Sequence, residues 1–174
     1  MIAAIAALSA GVASAQITVS LPDQSQTTTL TANVSEQARI TVPAAVTFNV
    51  TNSSAITNAA GASVTVDNIA LATATKQLVI SVAANALSFT SPGAGATWVS
   101  SDVTWGAATF SNAGVASAGV LAGVGTYQVV ATCAVNVAAC STTNLAFSLA
   151  ARPTVVNAGN HTLVMTWRFE AIGT

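Results

Sequence analysis

Along most of this chain apolar and polar residues alternate one by one. Ile17, Val19 and Leu21 alternate with Thr18 and Ser20, and Leu30, Ala32 and Val34 follow a Gln/Ser/Thr run. Ile40 and Val42 precede Pro43, and Val46, Phe48 and Val50 follow it. Val64 and Val66, then Leu78, Ile80 and Val82, repeat the pattern. Tyr127, Val129, Ala131, Cys133 and Val135 line one side of a long run, and Leu145, Phe147 and Leu149 come next. Leu163, Met165, Trp167 and Phe169 then stand opposite Val164, Thr166, Arg168 and Glu170. A period of two is the signature of half-buried strands, and the abundant Val and Thr suit a pleated surface. Clusters such as TSPGAGA, SNAGVASAG and VVNAGN punctuate the runs. The Ala-rich stretch 113–122 contains Gly114 and Gly119 and no charged pair, which predicts loop plus strand, not helix.

The spacing predicts about nine or ten strands in an all-β, antiparallel sandwich. Immunoglobulin-like or Greek-key order is expected, with a jelly roll as a variant. Three regions follow: 1–15 as a leader, 16–26 as an N-terminal extension strand and linker, and 27–174 as the sandwich domain.

Composition narrows the chemistry. Apolar residues make up 52% of the 174 and charged residues 5%, with four Lys/Arg, five Asp/Glu and a net charge of −1. Ordinary soluble domains carry roughly 25% charged residues. Four cations cannot form a phosphate-binding surface, so no nucleic-acid partner is expected. Asp23, Glu36, Asp67, Asp102 and Glu170 are scattered singly, and no calcium-loop spacing occurs. His161 is the one histidine and reads as a solvent-facing residue at a turn edge, and Lys76 as a surface residue at a strand end. No catalytic residue, metal or cofactor is expected. Trp98 and Trp105 flank Asp102 in ATWVSSDVTWG. They are candidates either for stacking on sugar rings or for burial in a core or interface.

Residues 1–15, MIAAIAALSAGVASA, form an uncharged apolar run ending in a small-x-small sequence. They read as a signal peptide cut between Ala15 and Gln16, too short for a spanning helix. The alternative is an apolar helix kept in place, which resembles the filament-core helix of archaeal type IV pilins. Cys133 and Cys140 fit export, since an even pair in a secreted chain implies a disulfide; cross-strand pairing in a hairpin, with a turn at Asn136-Val137, would bring the sulfurs together.

The first segment after the cut, QITVSLPDQ, is a short alternating strand, and a flexible polar run follows. Such an arm can add to the sheet edge of a neighbour, with Ile17, Val19 and Leu21 filling alternate pockets. Signal peptide, low-charge sandwich and detachable strand together resemble filament subunits joined by strand donation, the chaperone–usher pilins and the TasA-like bundling pilins. The resemblance implies a secreted structural subunit that polymerises with itself on the cell surface. The other expectation is a monomeric secreted sandwich, acting as an adhesin or a carbohydrate-binding module with a glycan partner.

Overall fold

The computed structural model of the chain describes residues 18, 20–22 and 27–173. The chain divides into two units, Met1–Asn33 and Val34–Thr174. In the first unit every described residue is exposed and none lies in a strand. The alternation at Leu30 and Ala32 therefore forms no strand, and Leu30 is 91% exposed. Ile17 and Val19 of the expected extension strand lie outside the described residues, and so does the expected leader.

The second unit is an all-β antiparallel sandwich. Its strands are β1 (Gln37–Thr41), β2 (Thr57–Asn58), β3 (Ala62–Ala70), β4 (Gln77–Ala84), β5 (Val103–Trp105), β6 (Ala113–Ala116), β7 (Gly119–Val120), β8 (Gln128–Cys133), β9 (Ala139–Leu145), β10 (Phe147–Leu149) and β11 (Met165–Ile172). A single 3₁₀ turn, Ser100–Asp102, leads into β5. One layer is the sheet β11-β4-β8-β6. The other combines β1-β3-β9 with β2-β10-β5-β7. These last two sheets meet because β9 and β10 are separated only by Ala146, and Ala59 donates its N–H to Phe147 O at 2.9 Å where β2 runs on toward β3.

No strand pairs with its immediate neighbour in sequence. From β3 onward each connection crosses from one layer to the other: β4, β6, β8 and β11 lie in one, and β3, β5, β7 and β9–β10 in the other. This is a sandwich of layer-crossing connections, with no hairpin among the described residues.

The inner faces meet in one apolar cluster. Val64 and Val66 of β3, Ile80 and Val82 of β4, Val130 of β8 and Leu145 of β9 are completely buried. Burial of each such side chain contributes about 1.5–3 kcal/mol. Two Trp complete this core. Trp98 donates its indole N–H to Ala150 O and Trp105 donates to Ser117 O, each at 3.0 Å, so neither polar atom is left unsatisfied. Gly119 lies directly under the Trp105 ring, where an added Cβ would collide with the indole.

The outer face of β4 is also closed. Ser81 is 1% exposed beneath Arg168, whose guanidinium carbon sits 4.4 Å from the centre of the Tyr127 ring. A cation on an aromatic face thus roofs a row of small residues.

Cys133 and Cys140 form a disulfide, as the sequence predicts, but not across a hairpin. Cys133 ends β8 in one layer and Cys140 lies in β9 of the other, with Cα atoms 5.9 Å apart. The intervening residues make an arch over one end of the core. Asn136 turns it with a φ of 56°, a conformation Asn tolerates better than most residues. The bond therefore staples the two layers together. Period-two patterning cannot distinguish this arch from a hairpin, because both place the same faces inward.

Two outcomes test these packing assignments. Replacing both cysteines (Cys133→Ala with Cys140→Ala) is expected to cost roughly 2–3 kcal/mol in urea unfolding, the entropy of closing so short a loop; an unchanged midpoint would mean that packing alone holds the arch. Gly119→Ala should cost about 1–3 kcal/mol because Trp105 must move, and a red-shifted tryptophan emission should accompany the loss.

Candidate functional site

A groove of about 930 Å³ opens between the layers. One wall is the segment Val42–Thr51, which follows β1. The opposite wall is Val155–Leu163 with Val164, Met165 and Trp167 at the start of β11. The floor comes from the core: Phe89, Trp98, Val103, Leu121, Phe147 and Leu149. Among the described residues no Asp, Glu, Lys or Arg lines it.

Two extended stretches border the groove, Val46–Val50 and β11, and each is incompletely paired among the described residues. Val46, Phe48 and Val50 alternate inward and pack on the core while Thr47 and Asn49 are exposed. The sequence predicts a strand here, yet among the described residues the segment joins no ladder. Among the described residues its one backbone bond is internal, from Val50 N–H to Phe48 O at 3.1 Å. β11 pairs along its whole length with β4, from Met165↔Ala84 to Ile172↔Gln77. Among the described residues no strand pairs with its other edge. The inner-face residues of the two strands differ accordingly. Leu78, Ile80, Val82 and Ala84 of β4 are buried, while Met165, Trp167 and Phe169, paired opposite them, are only half-buried. A fully flanked strand covers its inner face, and an edge strand beside an open groove does not.

His161 belongs to the groove wall and is half-buried, not solvent-facing as expected. Its ring stands edge-on to Trp98 with centroids 5.1 Å apart. Nε2 donates to the Asn157 carbonyl at 3.1 Å, which leaves Nδ1 to accept from the Thr97 hydroxyl at 2.8 Å in the neutral ring. A carbonyl can only accept, so this tautomer satisfies all partners. The histidine fastens the Asn157–His161 loop to the floor through the Thr97 hydroxyl next to Trp98.

Asp102 and Arg152 also serve structure. The Asp102 carboxylate accepts from Arg152 at 2.6 Å and from the Val99 N–H at 2.9 Å, and the Arg152 N–H donates to Ser53 O at 2.6 Å. This pair ties the turn before β5 to the loop after β10. Trp98 and Trp105 are 5% and 3% exposed, so neither offers the open ring face that sugar stacking requires. Leu21 is 87% exposed.

The far end of the sandwich holds the chain entry. Glu36 precedes β1 and accepts from Lys76 Nζ at 2.9 Å and from the Ala72 N–H at 2.7 Å. Lys76 is thus a surface residue with an assigned partner, side-chain exposure 24%. One register step on, Arg39 and Asp67 stand directly opposite each other on β1 and β3 and form a two-pronged ion pair at 2.6 and 2.9 Å. Hydrogen bonding from Lys76 holds the Glu36 carboxyl below its usual range, and hydrogen bonding from Arg39 does the same for Asp67.

Among the described residues no group of three or more His, Cys, Asp or Glu is placed to hold a metal ion, and no helix is long and apolar enough to cross a membrane. Comparison with family models, curated proteins and solved structures finds no match to this chain.

The entry ion pairs set the acid behaviour. Both carboxyls titrate lower in the folded chain than in the unfolded one, so their contribution is present above the unfolded values and is lost as pH falls through the folded ones. Thermal stability should therefore fall on acidification below about pH 4. The Glu36→Gln/Asp67→Asn double variant should show a smaller fall, and an identical acid slope in the two proteins would refute the assignment.

Proposed function

We propose that this chain is a structural subunit of an extracellular surface filament, exported by its N-terminal leader and polymerised by donation of its N-terminal strand to a neighbouring subunit. The observation that carries the reading is the edge of β11 that no strand among the described residues pairs with, together with its half-covered inner face. An exposed edge strand is a template for pairing with another chain, and isolated domains normally guard such edges with lysine, proline or a covering loop. This chain has a single lysine, Lys76, and it is engaged by Glu36 at the entry. Strand addition supplies backbone hydrogen bonds, and alternate side chains supply fit. A heterologous contact that does not close on itself propagates into a fibre.

Low charge supports the same reading. With four cations and five anions, stacked copies meet little like-charge repulsion and bury little charged surface. A disulfide joining the layers suits a protein that works in an oxidising compartment.

Deleting residues 16–22 of the chain, or changing Val19→Asp, should abolish filaments seen by electron microscopy while the sandwich keeps its disulfide and its thermal transition. Filaments of normal yield from both variants would overturn strand donation. Filaments whose subunits still begin at Met1, read by mass spectrometry, would replace it with a core of apolar N-terminal helices.

A further inference from the structure

The open edge of β11 is not the only unpaired backbone beside the groove. The Val46–Val50 segment is extended, turns its apolar side chains inward and joins no ladder among the described residues. The two therefore form facing walls of one uncharged trough with the core as its floor. We infer that this trough is the acceptor site, and that its occupant is residues 16–22 of a second copy of the chain, inserted between Val46–Val50 and β11. This deepens the strand-donation reading and rests on it.

Three features select that occupant. The first is charge. No Asp, Glu, Lys or Arg lines the trough among the described residues, and QITVSLP carries none either, so docking buries no carboxylate, ammonium or guanidinium. The second is length and period. Seven extended residues span about 23 Å and present Ile17, Val19 and Leu21 on one face, while the nine-residue wall Val42–Val50 would span about 30 Å. Leu21, 87% exposed, has surface to bury there. The third is polarity. The chain enters the domain at Glu36, fixed by Lys76 and Ala72, at the end where Gln37 meets Ala70 and Ile172 meets Gln77. The trough is lined by the opposite end of β11, Met165 and Trp167. An arm that leaves one end of a domain whose acceptor lies at the other end fits a head-to-tail series.

The inserted strand would do for this layer what β8 does for β4. It would flank β11 on its open side, bring Trp167 and Met165 under cover, and give the Val46–Val50 segment its first ladder partner. Trp98 and His161, already fastened to the floor and wall, would be sealed from water. An apolar trough of this size left open on a monomer is an aggregation liability, and occupancy removes it.

The test uses the full exported chain with a benzophenone amino acid at position 20, which leaves Ile17, Val19 and Leu21 unchanged. Copies grown in heavy-isotope medium are mixed with unlabelled copies, polymerised and irradiated, and the crosslinked peptides are sequenced by mass spectrometry. Mixed-isotope crosslinks to residues 42–50 and 164–172 are the expected result. Crosslinks confined to a single isotope would place the strand in its own domain and overturn the head-to-tail assignment. Mixed-isotope crosslinks to the β6 or β7 edges would overturn the trough as acceptor while leaving strand donation standing. A chain that neither polymerises nor crosslinks between copies would overturn both. A second measurement avoids the arm altogether. Val164→Asp puts a charge on the rim of the trough at an exposed position, and Val115→Asp puts one on β6 at the other edge of the same sheet. The first should reduce polymer mass at least about tenfold and the second should leave it within about twofold, a buried unpaired charge being the costlier change; equal effects would count against the trough.

Discussion

Everything in this domain depends on pressing two sheets together with almost no electrostatic help. The inner faces of β3, β4, β8 and β9 supply a dry core of Val, Ile and Leu, and the two Trp fill its broader part with both indole N–H groups satisfied by backbone carbonyls. The layers are held in register at one end by the Cys133–Cys140 arch and the Glu36–Lys76 pair, while Arg39–Asp67 ties β1 to β3 within one layer. At the other end no disulfide or ion pair among the described residues joins them, and the core meets the trough. Core, clasp and opening follow from one condition, that apolar faces must be covered and one stretch of them is not.

Much of this architecture is legible in the residues. The alternations at Val64–Val66, Leu78–Val82, Leu145–Leu149 and Met165–Phe169 all fall in strands, with the same residues inward. Gly-containing 113–122 is indeed loop and short strand. The misreadings share a cause. Period two reports which face of a chain is apolar, but not what stands beside it. Leu30 and Ala32 alternate and pair with nothing among the described residues. Val46–Val50 alternates, packs inward and still lacks a ladder. Cys133 and Cys140 were readable as a pair, yet the layers they join were not, because an arch and a hairpin share one pattern.

The site was less legible than the fold. His161 looks like a turn residue because its partners, Thr97 and the Asn157 carbonyl, are brought together only by the crossing of loops far apart in sequence. Trp98 and Trp105 advertise themselves as binding aromatics, and only the folded chain shows that a short polar turn carries them into the core. The wall residues Val155–Leu163 sit in a stretch that reads simply as a Gly/Asn turn cluster. No local signal marks them, because a concavity between two layers is a property of the assembled sheets.

The crossing topology also governs when this chain can become a domain. Among the described residues no strand pairs with the one next to it, so on a nascent chain only the short pairings β5–β7 and β6–β8 can form from what has just been synthesised. β4 must wait for β8 on one flank and for β11 on the other, and Gln77 finds its partner only in Ile172. Such non-local pairing is slow to nucleate, because loop closure must come before the contacts that reward it. The consequence is a domain that closes late: a chain cut short before Met165 leaves β4 without one of its two flanks, so truncation removes the centre of a sheet and not merely its rim.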